Sequence, residues 1–243
     1  MKLLFDIGNT RTKYVLLNDG ELSDIHYLDT SMISANWLSE HFADITECAV
    51  ANVSQDIVSQ TIVSWCQQQS IGCQVLETEK QNFGIRCAYS EPSRLGVDRW
   101  LVLVGARQLF AQQNCLIVDA GTATTVDLLT ANGEHKGGWI LPGIKLLFDS
   151  LLKNTEKIAA QAELIDEVTF ADNTSDAVNQ ASWAATLGLI NSAKQLSHDQ
   201  YSIELNQLTV ILTGGNARQL SQLYLGEVKL VDKLLFVGMQ AYC

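Results

Sequence analysis

A repeat lies inside this chain of 243 residues and narrows the folds open to it. Laid without gaps, residues 3–21 (LLFDIGNTRTKYVLLNDGE) match residues 116–134 (LIVDAGTATTVDLLTANGE) at Leu3/Leu116, Asp6/Asp119, Gly8/Gly121, Thr12/Thr125, Leu16/Leu129, Gly20/Gly133 and Glu21/Glu134, 7 identities in 19 positions. Each copy opens with an apolar run, breaks at Asp-x-Gly, resumes with β-branched and apolar residues, and ends at Asn18-Asp19-Gly20 or Asn132-Gly133. That pattern predicts strand, turn, strand, turn.

The correspondence continues down the chain. A third strand is expected at Leu22 to Leu28 and at His135 to Ile140, followed by a helix centred on Trp37 to Phe42 and another over Ile144 to Leu152. Short apolar strands at Cys48 to Val53 and Leu208 to Leu212 each precede a helical pattern. Strands at Cys73 to Leu76 and Val228 to Val231 then lead to helices at Leu95 to Phe110 and Lys233 to Tyr242. Both halves, residues 1–114 and 115–243, thus read β-β-β-α-β-α-β-α. Independent hairpins would share turn glycines, but they have no reason to share a whole element order. A cleft between the halves is the expected ligand site.

In Asp6-Ile7-Gly8-Asn9-Thr10-Arg11-Thr12-Lys13, an acid at the end of a buried strand precedes a glycine that permits close backbone approach. Amides and hydroxyls of such a turn can cradle phosphate oxygens. Asp6 can hold magnesium through water, and Lys13 can add positive charge. An ordinary hairpin with a polar turn would account for Asp-x-Gly alone, though not for the longer string. The second copy, Asp119-Ala120-Gly121-Thr122-Ala123-Thr124-Thr125, repeats the geometry with hydroxyls in place of the lysine. Leu212-Thr213-Gly214-Gly215-Asn216 reads either as a nucleotide-binding helix N-terminus or as a tight strand-to-helix turn. Gly137-Gly138-Trp139-Ile140-Leu141-Pro142-Gly143 is equally open.

Composition excludes several classes. A net charge of −11, with no basic stripe to offset it, argues against a nucleic-acid partner. Six cysteines (Cys48, Cys66, Cys73, Cys87, Cys115, Cys243) form no CxxC pair and read as buried, reduced thiols. The apolar start meets Asp6 too soon for a signal peptide, and no run of about 20 apolar residues exists to span a bilayer. A cytoplasmic protein is expected.

Taken together, DIGNT at 6–10, LGVDRW at 95–100, DAGTATT at 119–125, GGWILPG at 137–143 and LTGG at 212–215 resemble the type III pantothenate kinases in wording and order, over nearly the whole chain. GVDR discriminates, because acetate kinases, sugar kinases and heat-shock ATPases share the phosphate turns but not this insertion. The resemblance implies a duplicated ribonuclease H-like (actin-like ATPase) α/β fold. It further implies ATP at Asp6, Ile7, Gly8, Asn9, Thr10, Arg11, Thr12, Lys13 and Thr122, and pantothenate at Tyr89, Gly96, Val97, Asp98, Arg99 and Thr174. By the same resemblance Asp98 is the catalytic base, Asp119 holds a monovalent cation (K⁺ or NH₄⁺), Mg²⁺ accompanies ATP, and the protein is a homodimer.

Local readings compete at several of these positions. Asp98-Arg99 on its own would be a first-turn acid and a solvated base. Asp172, Asn173, Thr174 and Ser175 are all good helix N-caps. After NTSDAV the chain carries Asn179-Gln180-Ala181-Ser182 where family members have a small Ser-Gly pair. Trp100 and Trp183 read as core residues. The rival functions are another small-molecule kinase of the superfamily and a nucleotide-binding transcriptional regulator without kinase activity.

Overall fold

The structure is a computed structural model that describes residues 1–53, 56–155 and 158–243, with Asp56 described by its backbone alone. Along the chain run β1 (Lys2–Ile7), β2 (Arg11–Asn18), β3 (Glu21–Leu22), β4 (His26–Asp29), α1 (Ala35–His41), β5 (Glu47–Asn52), α2 (Asp56–Gln68), β6 (Gly72–Val75), β7 (Gln81–Asn82), β8 (Ile85–Arg86) and α3 (Val97–Leu109). They are followed by β9 (Asn114–Ala120), β10 (Ala123–Leu129), β11 (His135–Pro142), α4 (Ile144–Asn154), α5 (Thr174–Tyr201), β12 (Leu208–Thr213), α6 (Ala217–Leu223), β13 (Lys229–Leu230) and α7 (Leu234–Gln240). Among the described residues no helix is long and apolar enough to cross a membrane.

The two main sheets have the same order. The first runs β3-β2-β1-β5-β6, with β4 also paired to β2, and the second runs β11-β10-β9-β12-β13. In each, the Asp-bearing strand is central, pairing antiparallel with the strand after its turn and parallel with the later one. Central strands are covered on both faces, so β1 and β5 carry nearly unbroken apolar runs. Leu3, Phe5, Ile7, Val50, Ile62 and Trp65 anchor one core. Leu116, Val118, Trp183, Ile190, Val210 and Leu220 anchor the other.

The repeat is real in the fold, but its ungapped alignment is out of register on the returning strand. Asp6 pairs with Lys13 and Ile7 with Thr12, whereas Asp119 pairs with Thr125 and Ala120 with Thr124. The second turn is therefore one residue shorter. Gly8 N–H donates to the Arg11 carbonyl, three residues on, while Gly121 N–H donates to that of Ala123, two residues on. Thr12 thus corresponds to Thr124, both fully buried, and Thr125 stands where Lys13 stands.

The expected third strand of the first half is broken in two. β3 pairs Leu17 with Leu22, but β4 pairs Tyr14 with His26, so the register moves by one residue across Ser23–Ile25. The Ser23 hydroxyl explains the break: it accepts from Leu16 N–H and donates to the Asp24 carbonyl, taking ladder partners for itself.

Packing divides the chain into two compact units: residues 1–83, 89–109 and 233–243, and residues 84–88 and 110–232. Chain order alone would leave α7 with the second half. It groups instead with the first unit, because it lies along α3 at a crossing of two glycines. A Cβ on Gly105 would strike the Leu234 carbonyl, and one on Gly238 would strike the Leu101 carbonyl.

Candidate active site

In the first unit the β1–β2 turn is held open by Thr30. Its hydroxyl donates to the Gly8 carbonyl at 2.9 Å and meets that of Thr12 at 3.0 Å, and its N–H reaches the Thr10 carbonyl at 3.0 Å. Asn9, Thr10 and Arg11 are left at the surface. At the base of the turn Lys13 Nζ donates to Asp6 Oδ2 at 3.1 Å, the carboxylate almost buried and the amine about one-third exposed. The turn therefore presents hydroxyl and amide groups over a buried acid with one paired cation, a composition suited to an anion that arrives with its own metal.

α3 brings the GVDR segment to the same unit. Its first turn is crowded: the Arg99 N–H donates to Asp98 Oδ1 at 2.8 Å, and a Cβ on Gly96 would run into that same oxygen. Burial pushes the Asp98 carboxyl above its ordinary 3.8. The Arg99 N–H draws it back, Asp6 adds to the rise, and the charges of Arg99 and Lys13 oppose it. Asp98, Asp6 and Lys13 thus form one electrostatic group.

Arg99 is not the solvated base that an isolated Asp-Arg pair suggests. It is 5% exposed, its Nη1 donates to the Tyr89 hydroxyl at 3.1 Å, and its guanidinium lies 5.8 Å from the centre of the Tyr89 ring. Tyr89 is fixed in turn by Lys80 Nζ, which donates to its carbonyl at 2.8 Å. Beside Gly96 and Val97 opens a cavity of about 530 Å³ lined also by Asn52, Thr78 and Leu95.

Behind α3 sits a polar chain missed in the sequence. Trp100 Nε1 donates to the Tyr242 hydroxyl at 2.8 Å, which donates to Glu79 Oε1 at 2.7 Å. Trp100 and Trp183 are core residues, as expected.

In the second unit the Asp119 turn is clasped on two sides by glycines. A Cβ on Gly143 would strike the carbonyls of Gly121 and Thr122, and Gly143 N–H donates to the latter at 2.9 Å. Gly214, at φ +90°, lies so close to Asp119 Oδ1 and the Ala120 backbone that no side chain fits. Gly143 of GGWILPG and Gly214 of LTGG thus let two chain segments close on the turn. Thr122 is exposed at its tip. Thr174, also exposed, is the first residue of α5. The cap is Asn173, whose side chain accepts from Asp176 N–H.

A Cβ placed on Gly121 would touch both Asp119 Oδ1 and the Ala123 carbonyl, oxygen donors of the kind that suit a hard monovalent cation. Asp6, its Oδ2 accepting from Lys13, is an oxygen donor of the kind that suits a water-mediated magnesium contact.

In fold, the chain resembles a Campylobacter jejuni protein described as a candidate Baf family transcriptional activator (TM-score 0.65, 22% identity, 98% of this chain and 96% of that one). It also resembles a candidate 2-dehydro-3-deoxygalactonokinase from Sinorhizobium meliloti (TM-score 0.63, 12% identity, 99% and 97%). The class is therefore the duplicated ribonuclease H-like α/β fold of sugar kinases and actin-like ATPases. In sequence, residues 2–195 match the family model for type III pantothenate kinase, and the chain is 42% identical, over the whole of both chains, to the type III pantothenate kinase of Colwellia psychrerythraea strain 34H. The chain belongs to the type III pantothenate kinase family.

Proposed function

We infer that this chain transfers the γ-phosphoryl group of ATP to the primary hydroxyl of pantothenate, giving 4'-phosphopantothenate, the first step of coenzyme A biosynthesis. The observation that carries the reading is the half-buried Asp98, grouped with Asp6 and Lys13 in one unit of a chain whose family match covers residues 2–195.

Phosphoryl transfer asks a protein for alignment and charge neutralisation more than for covalent chemistry. The phosphates of ATP are taken by residues 6–13 and by Thr122. Asp98 accepts the hydroxyl proton as the catalytic base, its carboxyl raised by burial toward the range in which a base is effective. Arg99, oriented by Tyr89, binds an anionic group on substrate or phosphate, Gly96 and Val97 take pantothenate beside it, and Thr174 is assigned to pantothenate by the family resemblance alone. Magnesium at Asp6 and a monovalent cation (K⁺ or NH₄⁺) at Asp119 supply charge neutralisation when bound. The sequence repeat divides at 114/115, although α7 groups with the first packing unit, and the working form is a cytoplasmic homodimer that engages neither nucleic acid nor membrane.

The test is ADP release by the purified chain, with and without pantothenate, against a panel of sugars and short carboxylates and with sodium replacing potassium. Release that depends on pantothenate and falls in sodium supports the reading. Release with a sugar but not pantothenate would transfer the chain to another kinase activity.

A further inference from the structure

Cys48, Cys66 and Cys73 are separated by 17 and 6 residues and sit on three different elements, β5, α2 and β6. The fold gathers them. Cys48 and Cys73 face each other as register partners on adjacent parallel strands, and α2 lays Cys66 over that pair. The three sulfurs lie within 4.8 Å of one another, close enough for the thiols to hydrogen-bond among themselves. Among the described residues this is the one group of three cysteine, histidine or acidic side chains so arranged. Three of the six thiols, with no CxxC pair among them, are thus brought together by the fold.

The donor set is all sulfur. With metal–thiolate bonds of about 2.3 Å, a trigonal site needs sulfurs about 4 Å apart, so a small inward rotation of the side chains completes it. Thiolates select soft d¹⁰ cations, and the absence of oxygen and nitrogen from the trio disfavours the hard ions suited to the phosphate site. Cys48 and Cys66 are 3% and 0% exposed, but Cys73 lies on an edge strand and is partly open to solvent. That gives an ion a way in and leaves one coordination position for water or an exchange partner, unlike a closed four-ligand structural site.

We propose that Cys48, Cys66 and Cys73 form a binding site for one soft thiophilic cation of the zinc(II) or copper(I) class. The ion displaces thiol protons to solvent on binding, with no change in the oxidation state of sulfur. The site is separate from the kinase reading and stands or falls without it.

The test uses the reduced, metal-free full chain, titrated with zinc(II) in one arm and with copper(I) under reducing, oxygen-free conditions in the other, each against a chromophoric chelator. One equivalent should bind in at least one arm, and the stronger arm identifies the ion. Cys73→Ser should weaken binding by about 100-fold or more, while Cys243→Ser, outside the trio, should leave it unchanged. A second readout needs no variant: bound ion should shield Cys73 of the native chain from alkylation, mapped by peptide mass. No binding in either arm, binding unaltered by Cys73→Ser, or full alkylation of Cys73 in the metal-bound chain would each overturn the proposal in favour of three core thiols.

Discussion

Gly96 lies against the carboxylate of Asp98 so closely that the smallest side chain would meet its Oδ1. The obstructing atom is the end of a side chain that can swing, so Gly96→Ala need not strain the backbone. The Asp98 carboxylate would turn instead, losing its hydrogen bond from Arg99 and its aim. The expected outcome is a fall in kcat of about 100-fold, as misplacing a catalytic group by about 1 Å costs, with stability changed by less than about 1 kcal/mol. Steady-state kinetics beside urea denaturation checks both halves. A variant that keeps its kcat would show that the position of Asp98 does not matter.

Asp98→Asn should separate chemistry from stability. Asparagine cannot take the hydroxyl proton, so turnover should drop by about 10²–10⁴-fold while ATP binding persists. The stability effect has the opposite sign. Burial raises the Asp98 pKa above 3.8, so the folded state binds this proton more tightly than the unfolded chain. Its contribution to stability is therefore lost as pH rises from that value through the raised one. Wherever the native carboxylate is ionised, it is held so against that preference. Asp98→Asn should melt higher than wild type at pH 7 and lose the advantage in acid, read by melting curves at several pH values.

The element order was legible because Asp-x-Gly breaks two apolar runs and turn residues delimit each strand. The one-residue difference between the two turns was not. Thr12 finds a threonine at both 124 and 125, and Leu16 a leucine at both 128 and 129, so identities cannot choose between the registers. The strand pairings and the hydrogen bonds of Gly8 and Gly121 do. The burial of Arg99 escaped because it depends on Tyr89, ten residues away on an irregular segment. The Trp100–Tyr242–Glu79 chain joins residues 142 and 163 positions apart in the sequence. Asp98 enters the proposal through resemblance alone, since nothing local separates a catalytic acid from an ordinary first-turn one.

The two adjacent glycines of the LTGG motif should respond differently to the same substitution. Gly214 has φ +90° and its Cβ position is filled by Asp119 and the Ala120 backbone, whereas Gly215 is exposed with nothing within 4 Å of that position. Gly214→Ala is expected to cost about 1–3 kcal/mol from the backbone conformation alone, and to lower kcat by disturbing Asp119. Gly215→Ala should stay within about 0.5 kcal/mol of wild type. Equal effects in urea denaturation would mean that the close approach at Asp119 carries no weight.

The same replacement made in two helices should change stability in opposite directions. Alanine in a helix interior is favoured over glycine by about 1 kcal/mol, and nothing at Gly188, on the exposed face of α5, offsets that gain. Gly188→Ala should therefore stabilise the protein by up to about 1 kcal/mol. At Gly238 the added methyl meets the carbonyl of Leu101 and crowds the amide of Gly105, both backbone atoms of α3 that cannot rotate aside. Accommodating it means prising α7 from α3, which outweighs the propensity gain and should leave Gly238→Ala less stable by about 1–3 kcal/mol. Because α3 also carries Asp98, the shift should reach activity as well. A Gly238→Ala protein that melts higher than wild type and retains its kcat would mean that the glycine crossing neither sets the approach of the two helices nor positions the catalytic turn.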